Sequence, residues 1–132
     1  MRVVRSVTGW TLAILLAVGF TYFGGIKLTG NPGMVQEFAQ IGAGQWLRYL
    51  TGLLEVSGAM GVLIPGVRFW AALQIATVMA GATFTNIAIL HVPGLAGLTT
   101  ILMILALALA WLRQPGSEPA EKAAHAAATA PP

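Results

Sequence analysis

Thr51-Gly-Leu-Leu-Glu-Val-Ser-Gly-Ala-Met-Gly-Val-Leu-Ile64 is an almost wholly apolar stretch with one carboxylate, Glu55, in its middle. Taken back to Trp46 it is a candidate membrane-crossing helix, and Glu55 then lies about 13 Å along the axis at about 1.5 Å per residue. That depth is near the bilayer midplane, where an ionisable side chain costs roughly 3 kcal/mol on insertion scales. Glu55 is therefore expected to be neutral, paired, or turned toward a polar cavity. An acid so placed is either part of a functional pocket or a clamp between helices, and the stretch alone leaves both open.

The surrounding chain has a composition to match. Of 132 residues, 57% are hydrophobic and only 8% charged, far from a soluble domain. Between Gly9 and Trp111 the charged side chains are Lys27, Glu37, Arg48, Glu55 and Arg68 alone. The class that follows is all-α, a polytopic membrane protein. The formal net charge of +3 comes from basic residues set singly at segment ends, with no basic face to track phosphates, so nucleic acid is excluded as a partner. The absence of cysteine removes disulfides, thiolate metal sites, iron-sulfur clusters and thiol redox chemistry. No Ser-His-acid set, nucleotide-binding glycine loop or paired-carboxylate spacing is present, so no catalytic residue and no metal site is assigned. His91 sits at a span end beside Pro93, and His125 belongs to the tail.

Working outward, spans are expected at about 8–26, 46–64, 67–90 and 95–112, each long enough to cross a hydrocarbon core of about 30 Å. The architecture is a four-transmembrane-helix bundle. Gly9, Ala13, Ala17 and Thr21 on the first span, and Ala72, Ala76 and Ala80 on the third, recur every four residues as close-packing faces. Asn31 suits an N-cap and Pro32 a first helical position. After them Met34, Val35, Phe38 and Ile41 follow a helical period too short to span, read as an interfacial helix ended by Gly42-Ala43-Gly44. Pro65-Gly66 and His91-Val-Pro-Gly94 mark turns. From 114 to 132 the tail has too few large apolar residues for a core and is expected to be disordered and cytoplasmic, with an Ala run capable of transient helix. Arg2, Arg5, Arg68, Arg113 and Lys122 fall on one side of such a bundle and Lys27 and Arg48 on the other, which places both termini in the cytoplasm. Trp10, Trp46, Trp70 and Trp111 all fall near span ends and read as interfacial anchors.

Side chains on a helix lean toward its N-terminus, so the Glu55 carboxyl is expected to rise over Thr51 and Gly52, with Gly52 leaving it room. At similar depth the third span offers Thr83, Thr85 and Asn86 and the first offers Thr21 and Tyr22. Lys27 sits about a turn above them and can lean its ammonium inward, whereas Arg48 tips toward the surface. Lys27 therefore ranks above Arg48 as the ionic partner. The candidate ligand-binding set is Lys27, Glu55, Tyr22, Thr83 and Asn86, in the outer half of the bundle and closed by the segment from Met34 to Ile41. Gln74 reads as glue between helices.

These residues also carry a likeness. The chain resembles the DoxX-like family of small four-helix membrane proteins through Lys27-Leu-Thr-Gly30, then Met34 and Phe38 before Gly42. The likeness continues in Thr51-Gly-Leu-Leu-Glu-Val-Ser-Gly-Ala59 running to Leu63, Pro65 and Arg68, and in Ala71-Ala72 leading to Met79 and Ala82. It covers about Thr8 to Leu112. The resemblance implies a four-span, multi-pass protein of a bacterial-type inner (plasma) membrane. Through relatives linked to quinone-coupled sulfur oxidation or to oxidative-stress complexes, it also implies an accessory place in a redox assembly. No residue here carries electrons, so the implied part is to hold a quinone or dock a catalytic partner.

Three roles stay open at this point. One is a scaffold or accessory subunit acting through small-residue helix faces, with a protein partner or a second copy of itself. Another is a quinone-binding membrane subunit of an oxidoreductase complex, using the pocket near Lys27, Glu55 and Asn86. The third is a small proton-linked transporter built on Glu55. In none of them is the chain catalytic alone.

Overall fold

The computed structural model describes residues 2–113 and 117–131. The described residues are all-helical and free of strand, in the order α1 (Arg2–Leu28), α2 (Pro32–Ile41), α3 (Gln45–Val62), α4 (Arg68–Ala88), α5 (Pro93–Leu112) and α6 (Ser117–Thr129). Among them α1, α4 and α5 are long and apolar enough to cross a membrane. Gln45, Arg48 and Glu55 lower the apolar character of α3, which at 18 residues falls outside that group.

The four long helices pack in a ring: α1 against α3 and α5, and α4 against α3 and α5. Phe20, Ile75, Leu109 and Val62 fill the centre, with Ala13, Ala59, Ala72 and Ala106 letting the helices close on them. Large apolar side chains such as Ile14, Val18, Leu53, Phe84 and Ile101 stand on the outside. A soluble bundle would put charge there; here the outer surface suits lipid.

Small residues set the closest approaches. On α1 the buried line runs through Gly9, Ala13 and Ala17 as expected, but then passes to Phe20 and Gly24 and leaves Thr21 exposed. On α4 it holds Ala72 and Ala76 and then passes to Met79, leaving Ala80 exposed. The cause is geometric. A step of four residues turns a helix by about 40° beyond a full circle, so a strict four-residue row drifts off its own face.

The connections follow local chemistry. The Asn31 side chain accepts from the Gly33 N–H at 3.0 Å, Pro32 opens α2, and Gly42 closes it in the left-handed region at φ 81° with its N–H on the Phe38 carbonyl. Between α4 and α5 the chain turns through His91, at φ 58°, while Leu90 and Val92 N–H groups return to the Thr85 and Asn86 carbonyls. α1 begins earlier than the sequence suggests because Arg2 and Arg5 sit comfortably in a helix; Arg5 is anchored on the Leu112 carbonyl through Nε and Nη2 at 3.1 and 2.8 Å. The tail, expected to be disordered, runs as α6 over Ser117–Thr129 with its side chains from Ala123 to Pro131 exposed. Alanine's high helix propensity accounts for a helix formed where the side chains from Ala123 onward are exposed. Residues 114–116 and 132 of that tail lie outside the described residues.

Candidate functional site

The α1–α3 seam fixes the site. A Cβ added at Gly24 would lie 2.9 Å from the Gly52 carbonyl oxygen, and one at Gly52 would lie 3.1 Å from the Gly24 carbonyl oxygen. Lys27 follows Gly24, and Glu55 follows Gly52, by three residues each, so both side chains are carried to one level of a tight interface. Lys27 Nζ donates to Glu55 Oε2 at 2.9 Å and to Oε1 at 3.1 Å. Glu55 is 1% exposed and the Lys27 side chain 13%. The ordering that put Lys27 ahead of Arg48 as partner therefore holds.

Arg48 is not at the surface as its lean suggests. It is buried, donating through Nη1 to the Lys27 carbonyl at the end of α1 and through Nε to Gln45 Oε1 at 2.8 Å. Its guanidinium lies 4.2 Å from the Tyr49 ring centroid. Gln45 Nε2 in turn donates to the Val35 carbonyl of α2 at 3.1 Å. A hydrogen-bonded chain thus links α2, through Gln45 and Arg48, to the backbone of the residue that grips Glu55.

Under α2 lies a cavity of about 450 Å³ bordered by all five helices from α1 to α5. Its walls are mainly apolar, with Met34, Phe38 and Ile41 of α2 forming one side. Polar residues line it at a few points: Lys27, Glu37, Glu55 and Asn86, with Thr51, Thr77, Thr85 and Thr99. The threonine hydroxyls are already engaged with their own helices, Thr51 on the Leu47 carbonyl at 2.7 Å, Thr77 on Leu73 at 2.9 Å, Thr85 on Gly81 at 2.8 Å and Thr99 on Leu95 at 3.0 Å. Asn86 differs from these. It is buried and its carboxamide hydrogen-bonds to no described residue, leaving two donor N–H groups and an acceptor oxygen at the cavity.

The structure brings together three of the five expected site residues, Lys27, Glu55 and Asn86. Tyr22 is not among the lining residues; it is 64% exposed on the outside of α1, edge-on to Phe23 with centroids 5.6 Å apart. Thr83 is also absent from the lining. Its hydroxyl pairs with Thr99 at 2.8 Å in the α4–α5 seam, where it fastens helices together. Gln74 donates to the Leu54 carbonyl and to Ser57 Oγ at 2.8 and 2.9 Å, tying α4 to α3 as glue. Sequence reasoning missed Gln45 as the link to α2. A glutamine three residues before an arginine on a helix was the signal available for it.

At the opposite end Trp10 does more than anchor. Arg68, 1% exposed, donates from Nε to the Val62 carbonyl at 2.6 Å and lies with Cζ 4.1 Å from the Trp10 ring centroid, a cation-π contact. Trp46, Trp70 and Trp111 stand exposed near helix ends, as interfacial anchors should.

Among the described residues no cluster of metal-ligating side chains occurs. One family model, that of the DoxX-like family, matches residues 11–112, a span that takes in every residue lining the cavity. No curated protein and no solved structure matches the chain.

Proposed function

The chain belongs to the DoxX-like family and is a membrane protein, and from that premise we propose that it is an accessory membrane subunit that holds a lipid-soluble, carbonyl-bearing ligand of the quinone class. The observation that carries this reading is the Asn86 carboxamide, hydrogen-bonded to no described residue, at a mainly apolar cavity that the Lys27–Glu55 pair also lines. Apolar pockets with a few convergent polar groups are the usual form of small-molecule sites. A quinone ring and its isoprenoid foot fit apolar walls, and its carbonyl oxygens suit the Asn86 N–H groups and the remaining N–H of Lys27.

In this reading α3 crosses the bilayer as a fourth span, because Glu55 is neutralised by its partner Lys27 and the Arg48 guanidinium, though still charged, is hydrogen-bonded to the carbonyl at the end of α1 and to Gln45. α2 then lies at the interface as a cover, and both termini face the cytoplasm of a bacterial-type inner membrane by the distribution of basic residues. A scaffold role through a protein partner is compatible with the same subunit. A proton-linked carrier built on Glu55 has less support, since both carboxylate oxygens are held by Lys27.

The test is binding of a short-chain quinone to the full chain in mild detergent, followed by native mass spectrometry with wild type and Asn86→Leu compared. A retained quinone that the Asn86→Leu protein loses, with its melting temperature little changed, supports the reading. Equal retention by both proteins, or none by wild type, rejects it.

A further inference from the structure

The end of the molecule away from the cavity gathers guanidinium groups. Arg5 and Gly9 lie one turn apart on one face of α1, and both meet the end of α5. Arg5 is bonded to the Leu112 carbonyl, while Arg113 lies so near Gly9 that a Cβ there would be 2.6 Å from its Nη2. Two guanidinium groups therefore share the α1–α5 seam, and a third, that of Arg68, lies over the ring of Trp10, the neighbour of Gly9 in α1.

These groups differ in what they hold. Arg5 directs Nε and Nη2 to one carbonyl, that of Leu112. The Arg113 backbone N–H closes α5 on the Leu109 and Ala110 carbonyls, but its guanidinium makes no hydrogen bond or ion pair with any described residue, and Nε is buried without an acceptor. A charged donor sealed from water without an acceptor is costly, and such groups in folded proteins normally have one. Among the described side chains the acids are Glu37 and Glu55, both lining the cavity; along α1, Gly9 and Lys27 are about 27 Å apart. Trp10 and Trp111, 40% and 67% exposed, mark this end as the level of lipid headgroups.

We propose that the α1–α5 seam at Arg5 and Arg113 binds a phosphate-bearing anion, the headgroup of an anionic phospholipid. Guanidinium forks match phosphate oxygens with paired, charge-assisted hydrogen bonds. The exposed apolar side chains of Ile14, Ile104 and Leu107 farther along the two helices offer surface for acyl chains. Free phosphate presents the same oxygens without the chains, which separates the two sources by experiment. The site is independent of the cavity and of any ligand in it.

The full chain in mild detergent is titrated with phosphatidylglycerol, phosphatidylcholine or inorganic phosphate and read by native mass spectrometry and thermal melting. The expected result is retention of phosphatidylglycerol well above phosphatidylcholine, with its affinity lowered about fivefold in Arg113→Gln. Arg113→Lys keeps the charge and loses the fork, so its affinity falls between the two; it carries the comparison alone if the glutamine variant does not fold. Equal retention of both lipids by wild type overturns the proposal, as does undiminished phosphatidylglycerol binding in the variants. A melting shift from inorganic phosphate as large as that from phosphatidylglycerol overturns the lipid source.

Discussion

Gly24 of α1 and Gly52 of α3 face each other so closely that a Cβ on either would press on the other's carbonyl oxygen, at 2.9 and 3.1 Å. This contact sets the depth at which Lys27 and Glu55 meet. Gly52→Leu is expected to force the helices apart, at about 1–3 kcal/mol for overpacking, and to loosen the ion pair with them. Gly19→Ala, where a Cβ meets nothing within 4 Å, is expected to be neutral or slightly stabilising. Thermal melting of the two variants in the same detergent checks the contrast.

Lys27 and Glu55 are unequal partners because Glu55 is the more deeply buried. Lys27→Met strands the carboxylate and is expected to cost about 3–5 kcal/mol, whereas Glu55→Gln leaves an ammonium that can lean outward along its stem. The double variant Lys27→Met with Glu55→Met is expected to recover much of the loss. Equilibrium unfolding of all three gives the coupling between the two positions, and additive losses in the double variant would count against a direct pair.

The hydrogen bond from Gln45 to the Val35 carbonyl is what fastens α2 to α3. Gln45→Leu is expected to raise hydrogen exchange in α2, from Pro32 to Ile41, while the amides of α4 and α5 keep their protection. Exchange unchanged in α2 would mean that Phe38, buried at the cavity, holds the cover unaided.

The chain has no cysteine, so single cysteines report topology without background. Ala43→Cys, between α2 and α3, and Gly66→Cys, between α3 and α4, are expected to label from opposite sides of the membrane. Labelling from the same side would remove α3 as a span.

Much of this was legible in the residues. An acid in an apolar run demands a partner, and Lys27 at the end of the preceding span was the group able to reach it. Asn31, Pro32 and Gly42 bounded α2 because caps act over one turn and need no tertiary knowledge. The site was less legible where the answer depends on helix rotation. Tyr22 and Thr83 stand at a suitable depth but on other faces, and depth is what a span count yields. Arg48 was misplaced for a related reason: its lean is set locally, while its burial comes from the carbonyl of Lys27 on another helix.

The most direct test of a ligand-holding cavity is photo-crosslinking with a short-chain azidoquinone, followed by peptide mapping of the labelled sites. Labels are expected on α2 at Met34 and Phe38 and on α4 near Thr85 and Asn86, and to be competed by unlabelled quinone. Labels confined to outward side chains such as Tyr22 and Phe84, without competition, would contradict it.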